Sequence, residues 1–243
     1  GAPVSMPGMM NTILNLGIND EIAEGLAKRT DNPRFAYDCY RRFIQMFADV
    51  VLGADAHALE SRIEAHKEKQ GYTTDVEMTA DDWKRIIADF KTLVDFPEDP
   101  FVQLKLAVEA VFRSWHTPRA NVYREMNNIP DSLGTAVTVQ SMVFGNFGED
   151  SGSGVAFTRN PATGEKLFFG EVLFNAAGED VVAGIRTPKP VEELRDRLPG
   201  AYEELYRAQE LLERHYRDMQ DIEFTIQEGR FFILQTRSGK RTG

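Results

Sequence analysis

The chain has 243 residues, 42% of them hydrophobic and 27% charged. Those are ordinary proportions for a folded protein, and they exclude disordered, collagen-like and low-complexity classes. Its 38 acidic and 28 basic residues leave a net charge of -10, which argues against nucleic-acid binding through the overall field and requires any phosphate site to be locally basic or metal-assisted.

No apolar run approaches the roughly 18 residues of a membrane span, and the first residues carry no signal-like core. The one cysteine, Cys39, excludes a disulfide framework and points to a reducing compartment, cytoplasmic or organellar. His57, His66, His116 and His215 are scattered without metal-ligand spacing, so they read as surface or helix-packing residues rather than a zinc site. The Pro/Gly/Met-rich opening without an initiating Met, and the polar close from Ser238 to Gly243, read as cuts through a longer protein.

The first half has helical periodicity. Asn32-Pro33 is a cap followed by proline in the first turn. Phe35, Cys39, Phe43, Phe47 and Val51 then recur every four residues, and Gly53 stops the helix. Asp55 opens a second helix with Leu59 and Ile63 on one face and Gly71 as its stop. Thr79-Ala80-Asp81-Asp82 resembles a capping box, ahead of a stripe of Trp83, Ile86, Ile87, Phe90 and Val94. Val108, Val111, Phe112 and Trp115 mark a further helix, and a short one runs from Pro118 to about Asn127.

The period then changes to two. Residues 135–144 read as a strand, 145–154 as a Gly/Ser/acid loop, and 155–158 and 167–174 as strands. A long charged helix is expected over residues 192–216, followed by two strands, 221–226 and 230–236, around Gln227-Glu228-Gly229. Helices and then strands in blocks indicate an α+β fold.

That last hairpin is the most informative stretch. With Gln227-Glu228-Gly229 as a three-residue loop, Asp221 is expected opposite Gln235, and Glu223 opposite Ile233. Alternation places Asp221, Glu223, Gln235 and Arg237 on one face, and Ile222, Phe224, Ile226, Phe232 and Leu234 on the other. Two acids, an amide and a guanidinium on one sheet face suit metal–phosphate chemistry: Mg²⁺ takes oxygen ligands, and a guanidinium forks onto phosphate. A merely solvated sheet face has the same pattern. The Gly-rich loop 145–154 matches neither the Walker nor the dinucleotide pattern. Arg34, Arg41 and Arg42 form either an anion patch or a solvated helix face.

Taken together, Ser5-Met6-Pro7-Gly8-Met9-Met10-Asn11-Thr12, Asn32-Pro33-Arg34-Phe35-Ala36-Tyr37 and Tyr40 to Phe47 resemble the nucleotide-binding domain of the pyruvate, phosphate dikinase family. So do Val139 to Asn146, Gly154-Val155-Ala156-Phe157-Thr158-Arg159-Asn160-Pro161, Gly178 to Gly184, Asp218 to Phe224 and Leu234-Gln235-Thr236-Arg237.

The resemblance implies an ATP-grasp fold holding ATP and Mg²⁺ between two lobes, N-terminally truncated and with an inserted helical subdomain. Residues 1–20 and 97–141 would be the remainder of the N-terminal lobe, 21–96 the helical subdomain, and 142–243 the C-terminal lobe. It implies transfer of the β-phosphate of ATP, by way of a pyrophosphoryl-histidine, to a carrier histidine on another domain. Phosphoenolpyruvate, AMP and pyrophosphate are the eventual products, and the full-length enzyme would be a homo-oligomer. By position, Glu223 and Gln235 match the family's metal-and-phosphate pair, Arg237 its essential arginine, and Asp221 an acidic neighbour. Gln140, Met142 and Val143 lie in the segment bordering adenine, and Glu179 matches a nucleotide-side acid. The family's Gly-Gly-Lys-Gly segment is not in this sequence. The alternatives are the related pyruvate, water dikinase and a non-catalytic docking or scaffold piece.

Overall fold

The computed structural model describes residues 2, 4, 6, 8–183 and 186–239, apart from the side chains at 179, 182 and 183. The chain divides into two compact units, residues 1–140 and residues 141–243. Among the described residues no helix is long and apolar enough to cross a membrane.

The first unit is helical: α1 (Asp20–Thr30), α2 (Pro33–Phe47), α3 (Ala56–Gln70), α4 (Ala80–Leu93), α5 (Pro100–Ser114) and α6 (Pro118–Met126). The local signals explain most boundaries. Asn32 accepts the Phe35 N–H at 3.1 Å ahead of Pro33. Asp55 caps α3, and Gly71 ends it at φ 75°. Thr79 and Asp82 cap each other at the start of α4, 3.2 Å for one bond and 2.9 Å for the other. The stop at Gly53 also holds (φ 66°), after one wide π-helical turn over Ala48–Leu52. Helix α1 is an element the apolar periodicity does not announce. Its signal is at the ends: Asn19 as cap, Asp20 and Glu21 in the first turn, Lys28 and Arg29 in the last.

Helix α2 packs on α1 and α4. It buries Phe35, Cys39, Phe43 and Phe47, and Phe96 stands edge-on to Phe43 and Phe47 with ring centroids 5.5 and 5.6 Å apart. In α5 the buried positions are Gln103, Ala107, Ala110 and Ser114, while Phe112 of the expected stripe is half-exposed. The three arginines of α2 form neither an anion patch nor a solvated face. Arg34 donates to the carbonyls of Met78 and Asp75 at 2.8 and 2.7 Å. Arg41 is buried, pairs with Asp38 and Asp75 at 2.8 Å each, and stacks on Trp83. Arg42 shares Asp38. These cations are internal ties.

The second unit is a five-stranded antiparallel sheet with helices. Its strands are β1 (Gly152–Phe157), β2 (Phe169–Phe174), β3 (Lys189–Pro190), β4 (Gln220–Gln227) and β5 (Arg230–Ser238), in the order β3-β2-β1-β4-β5. The chain is thus α+β. Between the strands lie α7 (Gly178–Ala183), α8 (Leu194–Arg197) and α9 (Pro199–Tyr216). The single long helix expected over residues 192–216 is therefore broken. Pro199 lacks an N–H and pushes Leu198 out of the helical region (φ -138°, ψ 64°), so α9 restarts with proline in its first turn.

One sheet face builds the core. Ala156, Val172, Phe174, Ile222, Phe224 and Ile226 pack with Val191, Leu194, Ala201 and Leu205. Gly154 is required there: a Cβ would lie 2.5 Å from the Phe224 ring and 2.4 Å from the Glu171 carbonyl oxygen.

The strand expected over residues 135–144 does not form; among the described residues this stretch joins no ladder. Its β-branched residues fit a pleated, half-buried surface, but that preference needs a neighbouring strand to express it.

Candidate functional site

The hairpin β4–β5 turns through two residues, not three. Glu228 and Gly229 both have left-handed φ, 51° and 71°, and Gln227 pairs with Arg230, as the tight primed turns demand. Relative to the expected loop, this slips the register by one at the tip. Phe231, not the Arg230 that a three-residue loop would place there, therefore lies opposite Ile226, and Phe231 rather than Phe232 joins the core. Phe232 sits opposite Thr225 on the other face. A second irregularity follows. Ile233 pairs with Phe224 but Gln235 pairs with Glu223, leaving Leu234 as an extra bulge residue. The two one-residue shifts add to two, and an even shift restores the face of every later side chain. Beyond the bulge the partners are Glu223 with Gln235 and Asp221 with Arg237, replacing the expected Asp221–Gln235 and Glu223–Ile233 pairs.

Asp221, Glu223, Gln235 and Arg237 thus come together on the sheet face opposite the core. Arg237 Nε donates to Asp221 Oδ2 at 2.8 Å, while Nη2 donates to Glu223 Oε1. One planar guanidinium spans both carboxylates. The Arg237 and Asp221 side chains are largely buried, at 23% and 18% exposure. Burial works against the Arg237 charge, but Asp221 and Glu223 outweigh it and hold its pKa above the ordinary value. Glu223 is more open, and Gln235 is exposed. Both therefore present oxygen atoms on the accessible side of the ladder.

Strand alternation adds residues that the hairpin reading did not include. Val155 lies opposite Glu223 on β1 and opposite Glu171 on β2, so Glu171 shares this face. Alternation within residues 167–174 carries that signal once the strand pairing is known. Ser153 and Thr225, buried beneath the hairpin tip, approach each other at 3.3 Å between hydroxyls.

The remaining expected site residues are not gathered on this face by the ladder. Met142 and Val143 lie in the segment leading to the Gly-rich loop, Met142 exposed and Val143 half-buried. Gln140 is exposed and falls in the first unit. Glu179 falls in α7, and its side chain lies outside the described residues.

As a donor set, Glu223 and Gln235 supply one carboxylate and one amide oxygen. Among the described residues no group of three or more His, Cys, Asp or Glu gathers to cage a metal. Two hard oxygens fit a cation such as Mg²⁺, which keeps several waters and shares substrate phosphates instead of filling an all-protein cage.

The sequence model of the pyruvate phosphate dikinase AMP/ATP-binding domain matches residues 2–199 and 190–243. The chain belongs to that family. It is 57% identical to pyruvate, phosphate dikinase of Clostridium symbiosum, across all of this chain and 28% of the relative. It is 55% identical to the chloroplastic pyruvate, phosphate dikinase 1 of Oryza sativa subsp. japonica and 54% identical to the chloroplastic enzyme of Mesembryanthemum crystallinum, in each case across 26% of the relative. The chain thus spans about a quarter of the length of these curated relatives.

Proposed function

We propose that this chain is the ATP-binding phosphotransferase domain of a pyruvate, phosphate dikinase, built on an ATP-grasp fold. Residues 1–20 and 97–141 then belong to its N-terminal lobe, 21–96 to the helical subdomain, and 142–243 to the C-terminal lobe. It takes the β-phosphate of ATP, by way of a pyrophosphoryl-histidine, onto a carrier histidine elsewhere in the full-length enzyme, which goes on to form phosphoenolpyruvate. The observation that carries this reading is the Arg237 fork across Asp221 and Glu223, with Gln235 paired to Glu223 on the same open face.

Each residue has a role that follows from its chemistry. Glu223 and Gln235 would hold Mg²⁺, whose contribution when bound is to neutralise charge on the phosphates. Arg237 carries a fixed positive charge and a planar donor array suited to two phosphate oxygens. Asp221 keeps that guanidinium oriented through Nε, leaving the outer edge of the fork for substrate. Gln140, Met142 and Val143 border the adenine, and Glu179 stands on the nucleotide side. In a chain of net charge -10, a nucleotide polyphosphate is held only where such local cations offset the overall field.

Glu223→Ala in the full-length enzyme tests this reading. The expected result is a folded protein that no longer forms phosphohistidine from ATP. Near-normal turnover would remove Glu223 from the metal–phosphate site.

A further inference from the structure

The tip of the β4–β5 hairpin, at the far end of the ladder from Arg237, is bonded to the segment that precedes β1. Gln227 Oε1 accepts the backbone N–H of Phe144 at 2.8 Å. The amide of Gln227 is oriented for this, because its Nε2 donates to Glu228 Oε2 at 3.3 Å. Next to it, the Glu228 N–H donates to Ser151 Oγ at 3.1 Å, and the Gly229 N–H donates to the Asp150 carbonyl at 2.9 Å. Further support comes from Gly145, whose carbonyl accepts the Ala176 N–H at 2.9 Å. A Cβ at Gly145 would lie 2.3 Å from the Ala176 carbonyl oxygen, so the backbone is pressed against its neighbour there. The Gly-rich loop is therefore a tethered element, anchored at several points to the turn.

Gln227 differs from the other ties in reaching the residue directly after Met142 and Val143. It shares the Asp221/Glu223 face of β4 by strand period, four residues from Glu223, about 13 Å along the strand. One rigid strand thus bears the phosphate-side acid toward one end and the tether to residues 142–144 at the other.

We infer that Gln227 is a positioning residue for base recognition: its carboxamide sets the Met142–Phe144 backbone relative to the strand that carries Glu223. The inference rests on the reading of Gln140 to Val143 as the adenine-bordering segment. Gln227 does not touch the nucleotide; it acts through the Phe144 amide. Adenine is recognised by hydrogen bonds along its edge, and such bonds lose strength steeply when donor and acceptor shift. The phosphate contact at Arg237 and the metal that Glu223 would hold serve every nucleoside triphosphate alike. Loosening the tether therefore weakens discrimination between bases more than it weakens the phosphate interactions.

The experiment compares wild type, Gln227→Leu and the double variant Gln227→Glu with Glu228→Gln in the full-length enzyme. Equilibrium binding of Mg-ATP and Mg-ITP is measured, with amide hydrogen exchange across residues 141–146. Gln227→Leu removes the acceptor, while the double variant exchanges carboxamide and carboxylate, keeping an oxygen for the Phe144 N–H and a donor between the two side chains. The expected results are faster exchange at Phe144 and about 5- to 10-fold weaker ATP binding in Gln227→Leu, the worth of one hydrogen bond. The preference for ATP over ITP should fall by a similar factor, and the double variant should restore all three. Two results would overturn the inference: an ATP-to-ITP ratio in Gln227→Leu equal to that of wild type, or a loss shared equally by the double variant. Failure of the wild-type enzyme to bind Mg-ATP would instead overturn the proposed function, and the exchange at Phe144 still reads the tether in that case.

Discussion

Replacing Arg237 by lysine separates a phosphate clamp from an ordinary charged side chain. In the structure its guanidinium bonds Asp221 through Nε and Glu223 through Nη2 at the same time. A lysine keeps the charge but presents one compact ammonium, so it serves one carboxylate well and loses the planar fork. For stability this is a small change. Each of these partly exposed pairs is worth about 0.5–1 kcal/mol, so losing one lowers the melting temperature of a chain this size by about 2–4 °C at most. For phosphoryl transfer it is a large change. A group that stabilises developing charge through fixed donors contributes about 2.7–4 kcal/mol, or about 100- to 1,000-fold in rate. The assay is the ATP half-reaction of the full-length enzyme, following AMP release and labelled phosphohistidine, beside a thermal melt. A fall of at least about 100-fold in rate with a nearly unchanged melt is expected. A rate within about 3-fold of wild type, too small a change for a lost clamp, would refute the reasoning and leave Arg237 a structural counter-ion for Asp221 and Glu223.

Three further outcomes concern the fold. Asp82 is 5% exposed; burial alone would raise its pKa, but the Thr79 hydroxyl and N–H and the His66 ring outweigh this and lower it to about 2. A depressed carboxylate stabilises the fold above its unfolded pKa, near about 4, and that contribution is lost as pH falls through about 2. Asp82→Asn should therefore cost about 2 kcal/mol at pH 7 and flatten the acid limb of stability between about pH 4 and 2, measured by urea titration at several pH values. Gly154→Ala should destabilise the second unit by about 1–3 kcal/mol, since the Glu171 carbonyl cannot give way as a flexible side chain does; an unchanged urea midpoint would show that the sheet absorbs the methyl. Phe224→Ala empties the centre of the same core and should cost about 3–5 kcal/mol, read from the same titration.

The helices of the first unit were legible because their signals are local. Caps such as Asn32, Asp55 and Thr79, stops such as Gly53 and Gly71, and a four-residue apolar repeat act within one or two turns of chain. The same locality explains why α1 escaped an apolar-periodicity reading: only two of its residues, Ala23 and Ala27, are buried. The polar face of the final hairpin, Asp221, Glu223, Gln235 and Arg237, was legible too, since alternation is a property of one strand; the apolar face was not, because Phe231 takes the place expected for Phe232.

Partners are a different matter. Which residue lies opposite Glu223 depends on the turn at Glu228-Gly229 and on the bulge at Leu234, and two shifts that add to two leave Gln235 and Arg237 on the face their own alternation predicts, so their changed partners cannot be read from it. Residues 135–144 have strand composition and form no strand, because a ladder needs a second chain segment beside it. Arg41, a charge in sequence, is buried only because Asp38, Asp75 and Trp83 converge from three elements. The tether from Gln227 to Phe144 spans 83 residues. Periodicity and capping are read along the chain, and the sequence by itself determined them; register, burial of charge and long-range hydrogen bonds are relations between segments, and only the tertiary structure decided those.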